Sequence, residues 1–334
     1  MPRRKTEEQK QESTPQQAQQ STQQGGISLC DSPVEELEGV GRETAAKLHA
    51  IGVYTVRDLA FMSKPDLREA GIDDARASSL IKRALKECGM LNIMPADVLN
   101  AQLVSAKKLT TLSGNLDDLL NGGLQVGNMY ELIGEFGTGK TQMCFQLSIA
   151  ATLPEDAHGL DGSVLFLDSE HTFKPGRIEQ IARNRGLDPS AVLSRIYVAP
   201  IYTPDHLELL LKDTIPTYIR QHNIKLIVID SLIKLYRAAM PGRENLAERQ
   251  QRLNQVLARL GNMADRYGLI VVFTNQVVAN PVPFTPEPMR PAGGNIVAHA
   301  AQYRIELAKK GKVRMARVID SADIPADKYV CFTI

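Results

Sequence analysis

The sequence predicts an α/β protein: a mainly parallel, twisted sheet covered by helices on both faces, preceded by a small all-α domain. Three observations carry that expectation. Beyond residue 111, short apolar runs alternate with helical stretches, the pattern of a parallel sheet. Residues 33–90 show only helical spacing, broken by glycine turns. Between a strand and a helix, Gly134-Glu135-Phe136-Gly137-Thr138-Gly139-Lys140-Thr141 matches the phosphate-cradling pattern G-x-x-x-x-G-K-[ST] at every fixed position.

The chain has 334 residues, long enough for about two domains. Lys and Arg number 39 against 38 Asp and Glu. Bulk charge therefore announces no nucleic-acid partner, and any such surface must be a local patch. Cys30, Cys88, Cys144 and Cys331 lie apart with no C-x-x-C pair, which reads as reduced, mostly buried thiols and neither a disulfide nor a zinc framework. With no apolar run of spanning length and no secretory core, the expectation is a soluble cytosolic or nuclear protein with no membrane partner.

Residues 1–27 begin with Arg3, Arg4 and Lys5, then carry eight glutamines between Gln9 and Gln24, a tail too poor in apolar residues to fold. Residues 28–90 contain two similar units. Thr44, Ala45, Leu48 and Ile51 follow the Gly39-Val40-Gly41 turn at helical spacing, and Ala75, Ala77, Leu80, Ile81 and Leu85 follow Gly71. Such units resemble helix–hairpin–helix modules, whose glycine turns offer N–H groups to phosphates. Arg42, Lys47, Arg76, Lys82, Arg83 and Lys86 are the candidate cations; a small protein-interaction domain fits the pattern equally well. Residues 91–110 are a linker with one strand-sized apolar stretch, and 111–334 form the α/β core. Its predicted strands are Met129–Ile133, Val164–Asp168, Ile196–Ala199, Leu226–Asp230 and Leu269–Thr274, then a hairpin around residues 309–312 and an edge strand from Tyr329.

The phosphate loop implies a nucleoside triphosphate. Gly134, Gly137 and Gly139 let the backbone N–H groups turn inward, Glu135, Phe136 and Thr138 complete the loop, and the helix opening at Lys140 adds its positive end. Lys140 suits the β/γ-phosphates, and the Thr141 hydroxyl suits Mg²⁺. Asp230 ends a buried strand, where a carboxylate can orient Mg²⁺ through its waters. Glu170, just past the strand ending in Asp168, suits the base that polarises water; capping of the next helix is the alternative for both acids. Asn275 and Gln276 arrive at the same sheet edge as candidate sensors of the γ-phosphate. Two irregular stretches follow, one with Arg237 and Arg243, the other with Phe284, Met289, Arg290, Gly293 and Gly294. Together they read as loops for single-stranded nucleic acid.

These motifs together strongly resemble the RadA-type recombinases, the archaeal branch of the RecA superfamily close to the eukaryotic strand-exchange proteins. Besides the phosphate loop with Gln142, the resemblance rests on DSEHTF from Asp168, LAERQQ from Leu246, TNQV from Thr274 and GGNIVAHA from Gly293. It covers Val34 to the C-terminus. It implies a RecA-type core, a helix–hairpin–helix DNA-binding domain, and an ATP- and Mg²⁺-dependent filament, or a ring, on DNA. Such a filament pairs single-stranded with double-stranded DNA and exchanges strands; a monovalent cation such as K⁺ is a further candidate cofactor. Lys140 and Glu170 take the catalytic positions, Gln276 the link to the second DNA loop, Arg177 the adenine side and His299 the γ-phosphate side. Asp320 matches the acidic cap laid over ATP by a neighbouring subunit. The location implied is cytoplasmic, at an archaeal nucleoid.

Four departures stand out. Ile93 replaces the aromatic of the F-x-x-A linker strand that joins subunits, with Ala96 retained, so assembly is expected to be weaker or altered. Glu244 stands in place of a glycine, Lys174 in place of an arginine and Ala322 in place of a proline. They leave open a second reading, a non-exchanging paralogue that acts as a DNA-binding mediator.

Overall fold

The computed structural model describes residues 29–242, 244–279, 289–311 and 313–333. Four short helices build the amino-terminal domain: α1 (Arg42–Ala50), α2 (Val56–Ala60), α3 (Lys64–Glu69) and α4 (Asp74–Glu87). They are short because capping residues and glycines start and stop them. Thr55 with Asp58 and Ser63 with Asp66 form reciprocal capping boxes. Gly39 and Gly71 sit at φ +96° and +75°, where a side chain would be strained. Leu48, Val56, Leu59 and Leu67 are fully buried in a separate small core.

The cysteine expectation fails at this point. Cys30 and Cys88 form a disulfide across 58 residues, leaving buried Cys144 and exposed Cys331 as free thiols. Spacing alone concealed the pair, because only the folded helices bring the start of the domain against the end of α4. The linker differs as well. Its apolar stretch forms no strand but α5 (Ala96–Ser105), which buries none of its residues, and Ile93 before it is fully exposed.

The core opens with β1 (Lys108–Leu109), α6 (Gly114–Leu119), β2 (Leu124–Gln125) and β3 (Met129–Gly134). Next come α7 (Lys140–Thr152), β4 (Ser163–Asp168), α8 (Pro175–Asn184), α9 (Pro189–Leu193) and β5 (Ile196–Pro200). A π-helical turn at Leu210–Thr214 joins α10 (Pro204–Leu209) to α11 (Ile215–Gln221). The chain continues with β6 (Ile224–Asp230), α12 (Leu232–Ala239), α13 (Leu246–Tyr267) and β7 (Ile270–Ala279). Last are β8 (Met289–Pro291), α14 (Gly294–Ala300), β9 (Tyr303–Lys310), β10 (Val313–Ser321) and β11 (Tyr329–Phe332).

The main sheet runs β11-β10-β9-β3-β7-β6-β4-β5, with β8 antiparallel on β7. From β9 through β5 its neighbours are parallel, while β9, β10 and β11 are antiparallel. Every residue of β3 and β4 is buried, as expected of strands covered on both faces. One apolar layer includes α7 and α8, and the other includes α11, α12 and α13. Pairing sets Gly134 opposite Gln276 and Asp168 opposite Asp230, so four strands deliver polar residues to one carboxyl-terminal edge.

An ion triad docks the amino-terminal domain on this core. Asp58, only 2% exposed, accepts Arg266 Nε at 2.8 Å and pairs with Arg220. It also accepts the backbone N–H groups of Tyr54 and Thr55, both at 2.9 Å. Arg220 stacks over Tyr54 and Tyr267, and Lys212 meets Glu69 at 2.6 Å. Burial pushes the Asp58 carboxyl up, but the two guanidiniums outweigh it and hold it below the usual range.

Asp58→Ala leaves two largely desolvated cations unpaired and should cost about 3 kcal/mol in urea unfolding. Because the folded pKa is depressed, the contribution is complete above the unfolded value of about 4 and is lost as pH falls towards the lower folded value. A thiol titration in denaturant should count two free cysteines, rising to four after reduction.

Candidate functional site

The loop after β3 has a shape that only its glycines allow. A Cβ on Gly134 would lie 2.4 Å from Leu307 O and 2.6 Å from Thr138 Oγ1. Gly137 and Gly139 are left-handed at φ +79° and +106°, and the hydroxyl of Thr138 donates to Glu135 O at 2.9 Å. The loop therefore closes a concave mouth under the first turn of α7, whose free N–H groups suit phosphate oxygens. Lys140 Nζ donates to Gly134 O at 2.8 Å and Glu135 O at 2.9 Å, crossing that mouth. Burial lowers its pKa, and the charges of Asp230 and Glu170 oppose the shift.

A cavity opens beside the loop, lined by Phe136, Gly137, Gly139, Lys140, Thr141, Gln142, Glu170, Asp230, Thr274, Gln276 and Arg314 among others. Residues from the ends of β4, β6 and β7 thus face the phosphate loop. At its base the Thr141 hydroxyl donates to Asp230 Oδ2 at 2.6 Å and the Thr274 hydroxyl to Asp230 Oδ1 at 2.5 Å. Asp230 is 2% exposed and has no cationic partner among the described residues, so burial pushes its carboxyl up against those hydrogen bonds. A hydroxyl and an uncompensated carboxylate fit Mg²⁺, which keeps waters and takes phosphate oxygens. No cluster of three His, Cys, Asp or Glu able to hold a metal occurs among the described residues, so the protein would supply only part of the shell.

The two acids around the end of β4 differ. Asp168 accepts the N–H groups of Thr172 and Phe173, at 3.2 and 2.9 Å, and so shapes the loop. Glu170 faces the cavity. Its Oε2 pairs with Lys234 of α12, whereas Oε1 is buried with no hydrogen-bond partner.

Gln276 lines this cavity and also a second one, with Ile233, Lys234, Arg237, Ala238, Asn275 and Ala292. Asn275 does not turn to the first cavity. Its amide donates to Glu131 Oε1 at 2.6 Å and Ala292 O at 2.7 Å. Glu131 is fully buried and also accepts Arg304 Nε at 2.6 Å. Burial pushes its carboxyl up, opposed by that guanidinium and amide. Gly293 and Gly294 open α14 at φ +98° and +66°, and Gly293 O accepts Gln250 Nε2 from α13 at 2.8 Å.

The other expected residues are scattered. Arg177 Nε donates to Gln142 Oε1 at 2.7 Å, next to the first turn of α7. Asp320 and His299 are exposed and outside the cavity. Arg237 is exposed on α12; Arg243 and Phe284 lie outside the described residues, as do the side chains of Met289 and Arg290. In the amino-terminal domain, Arg76 donates to Thr44 Oγ1, Arg83 to Glu38 O, and Lys47 pairs with Glu43. Two residues were missed by sequence reasoning. Arg314 donates to Gly137 O and Thr138 O, both at 3.0 Å, from a strand that no local motif marks. Lys234 was the other, although its place four residues beyond Asp230 was a usable signal.

A sequence model of the family described as Rad51 matches residues 102–334. The DNA repair and recombination protein RadA of Aeropyrum pernix is 41% identical over 299 residues, covering 89% of this chain and 93% of that protein.

Thr141→Val removes the hydroxyl beside Asp230. Titration with a fluorescent ATP analogue should show Mg²⁺-dependent affinity falling about 10- to 100-fold, with little change in EDTA.

Proposed function

The chain belongs to the Rad51 family, and we propose that it is an ATP-dependent DNA recombinase of the RadA type, acting in DNA repair. It would assemble on single-stranded DNA, pair it with homologous double-stranded DNA and exchange strands. The observation that carries this reading is the sharing of Gln276 between the nucleotide cavity and the cavity beside Arg237. One residue borders both the phosphate loop's pocket and a cavity that Arg237 lines.

In this reading the loop N–H groups, Lys140 and Arg314 hold the triphosphate, and Thr141 and Asp230 hold Mg²⁺. The bound metal would neutralise charge on the β- and γ-phosphates. Glu170 accepts a proton from water as that water's oxygen bonds to the γ-phosphorus and the bond to the β-phosphate oxygen breaks. Arg177 orients the nucleotide at the rim. Asp320, exposed and outside its own chain's cavity, suits a cap on a neighbouring subunit's ATP, which would bind nucleotide and assembly into one equilibrium. Arg237, Arg243, Arg290, Gly293 and Gly294 contact DNA, and K⁺ is the candidate monovalent ion. No helix among the described residues is long and apolar enough to cross a membrane, and the proposed location is cytoplasmic.

One observation favours the second reading, a mediator that binds DNA without exchanging strands. Ile93, fully exposed at the start of the linker, offers a neighbour less apolar area than an aromatic would, with Ala96 three residues on.

A strand-exchange assay with ATP and Mg²⁺, run beside Lys140→Ala, decides between them. Exchange by the wild type and none by the variant is expected; ATP-dependent DNA binding with no exchange would establish the mediator instead.

A further inference from the structure

Glu170 is held by a residue that faces a different cavity. Its side chain is 17% exposed, and Lys234, which pairs with Oε2, is 52% exposed. Lys234 lies near the start of α12 with Arg237 one turn later, and both line the second cavity with Gln276. Residues three apart on a helix share a face, so these two cations face the same space. The other oxygen of Glu170 is buried beside the phosphate loop with no hydrogen-bond partner. The carboxylate is thus tethered through one oxygen to a cation that solvent, and any anion in solution, can reach.

We propose that Lys234 is a positioning residue that holds Glu170 in an ion pair until a nucleic-acid phosphate in the second cavity takes its ammonium. The inference rests on the ATPase reading above and adds how DNA would accelerate it. A lysine ammonium is a compact charge on a flexible stem, able to swing between two anionic partners. An exposed pair of this kind is worth little in water, so a phosphate next to both Lys234 and Arg237 competes effectively for it. With the tether gone, Glu170 turns both oxygens to the nucleotide cavity and accepts the proton of the attacking water. Competition is reciprocal: whatever frees Lys234 from Glu170 must strengthen its hold on DNA by the same factor.

Two measurements test this, both on the full chain. The first is affinity for a fluorescent oligothymidylate, by anisotropy, with a non-hydrolysable ATP analogue present throughout. Glu170→Gln should tighten binding about threefold when Lys234 is present and have no effect in Lys234→Met, a difference set by one exposed ion pair. An equal effect in both backgrounds, or none in either, overturns the proposal. The second is steady-state hydrolysis. Lys234→Met should raise kcat without DNA about threefold at unchanged KM for ATP and shrink stimulation by DNA, whereas Lys234→Arg should keep the wild-type ratio. An unchanged or lower DNA-free kcat in Lys234→Met overturns the tether while leaving the ATPase reading intact. Absence of any DNA stimulation in the wild type overturns both.

Discussion

The register of four parallel strands governs this molecule. Gly134 stands opposite Gln276 because β3 and β7 pair as they do, and Asp168 stands opposite Asp230 because β4 and β6 do. A slip of one residue in any of these pairs would turn its carboxylate or loop to the other face of the sheet. The buried runs Met129–Tyr130, Leu165–Leu167 and Ile227–Ile229 prevent such a slip by filling two apolar layers at once. Packing therefore fixes chemistry: the greasiest parts of the chain decide where its few buried polar groups meet.

Much of that arrangement was legible beforehand, and for a physical reason. Strands buried on both faces are continuous apolar runs, and long amphipathic helices such as Leu246–Tyr267 have strong periodicity. The phosphate loop is legible because its glycines are needed for backbone geometry within eight neighbouring residues. What escaped reading depends on distant partners. The Cys30–Cys88 bond joins residues 58 apart, and Arg314 reaches the loop from β10, two strands away. Asn275 sits one residue before Gln276, yet the strand's alternation sends it to Glu131 on the opposite side. Where one acid or amide has two neighbours of similar type, only the fold assigns their tasks, as Asp168 and Glu170 illustrate. The linker misled for the opposite reason. Ala96–Ser105 is rich in apolar residues but buries none of them, so its helix is set by local propensity and not by a core.

Polar groups inside this core are few and mostly paired. Glu131 has Arg304 and Asn275, and Asp58 has Arg220 and Arg266. Among the described residues Asp230 has hydroxyls but no ion-pair partner, and Glu170 keeps a buried oxygen without a hydrogen bond. An unmet buried acceptor is costly in a folded protein. The contrast separates carboxylates that hold the architecture together from carboxylates left free to meet a ligand.

Helix α13 has a further consequence. Near one end Gln250 grips Gly293 at the start of α14, and near the other Arg266 grips Asp58 of the amino-terminal domain. At 1.5 Å of rise per residue, those grips are roughly 24 Å apart along one helix. Its buried side is fastened along its length by Leu253, Val256, Leu257 and Leu260. The amino-terminal domain and the start of α14 are therefore both anchored to one helix that the core holds in place.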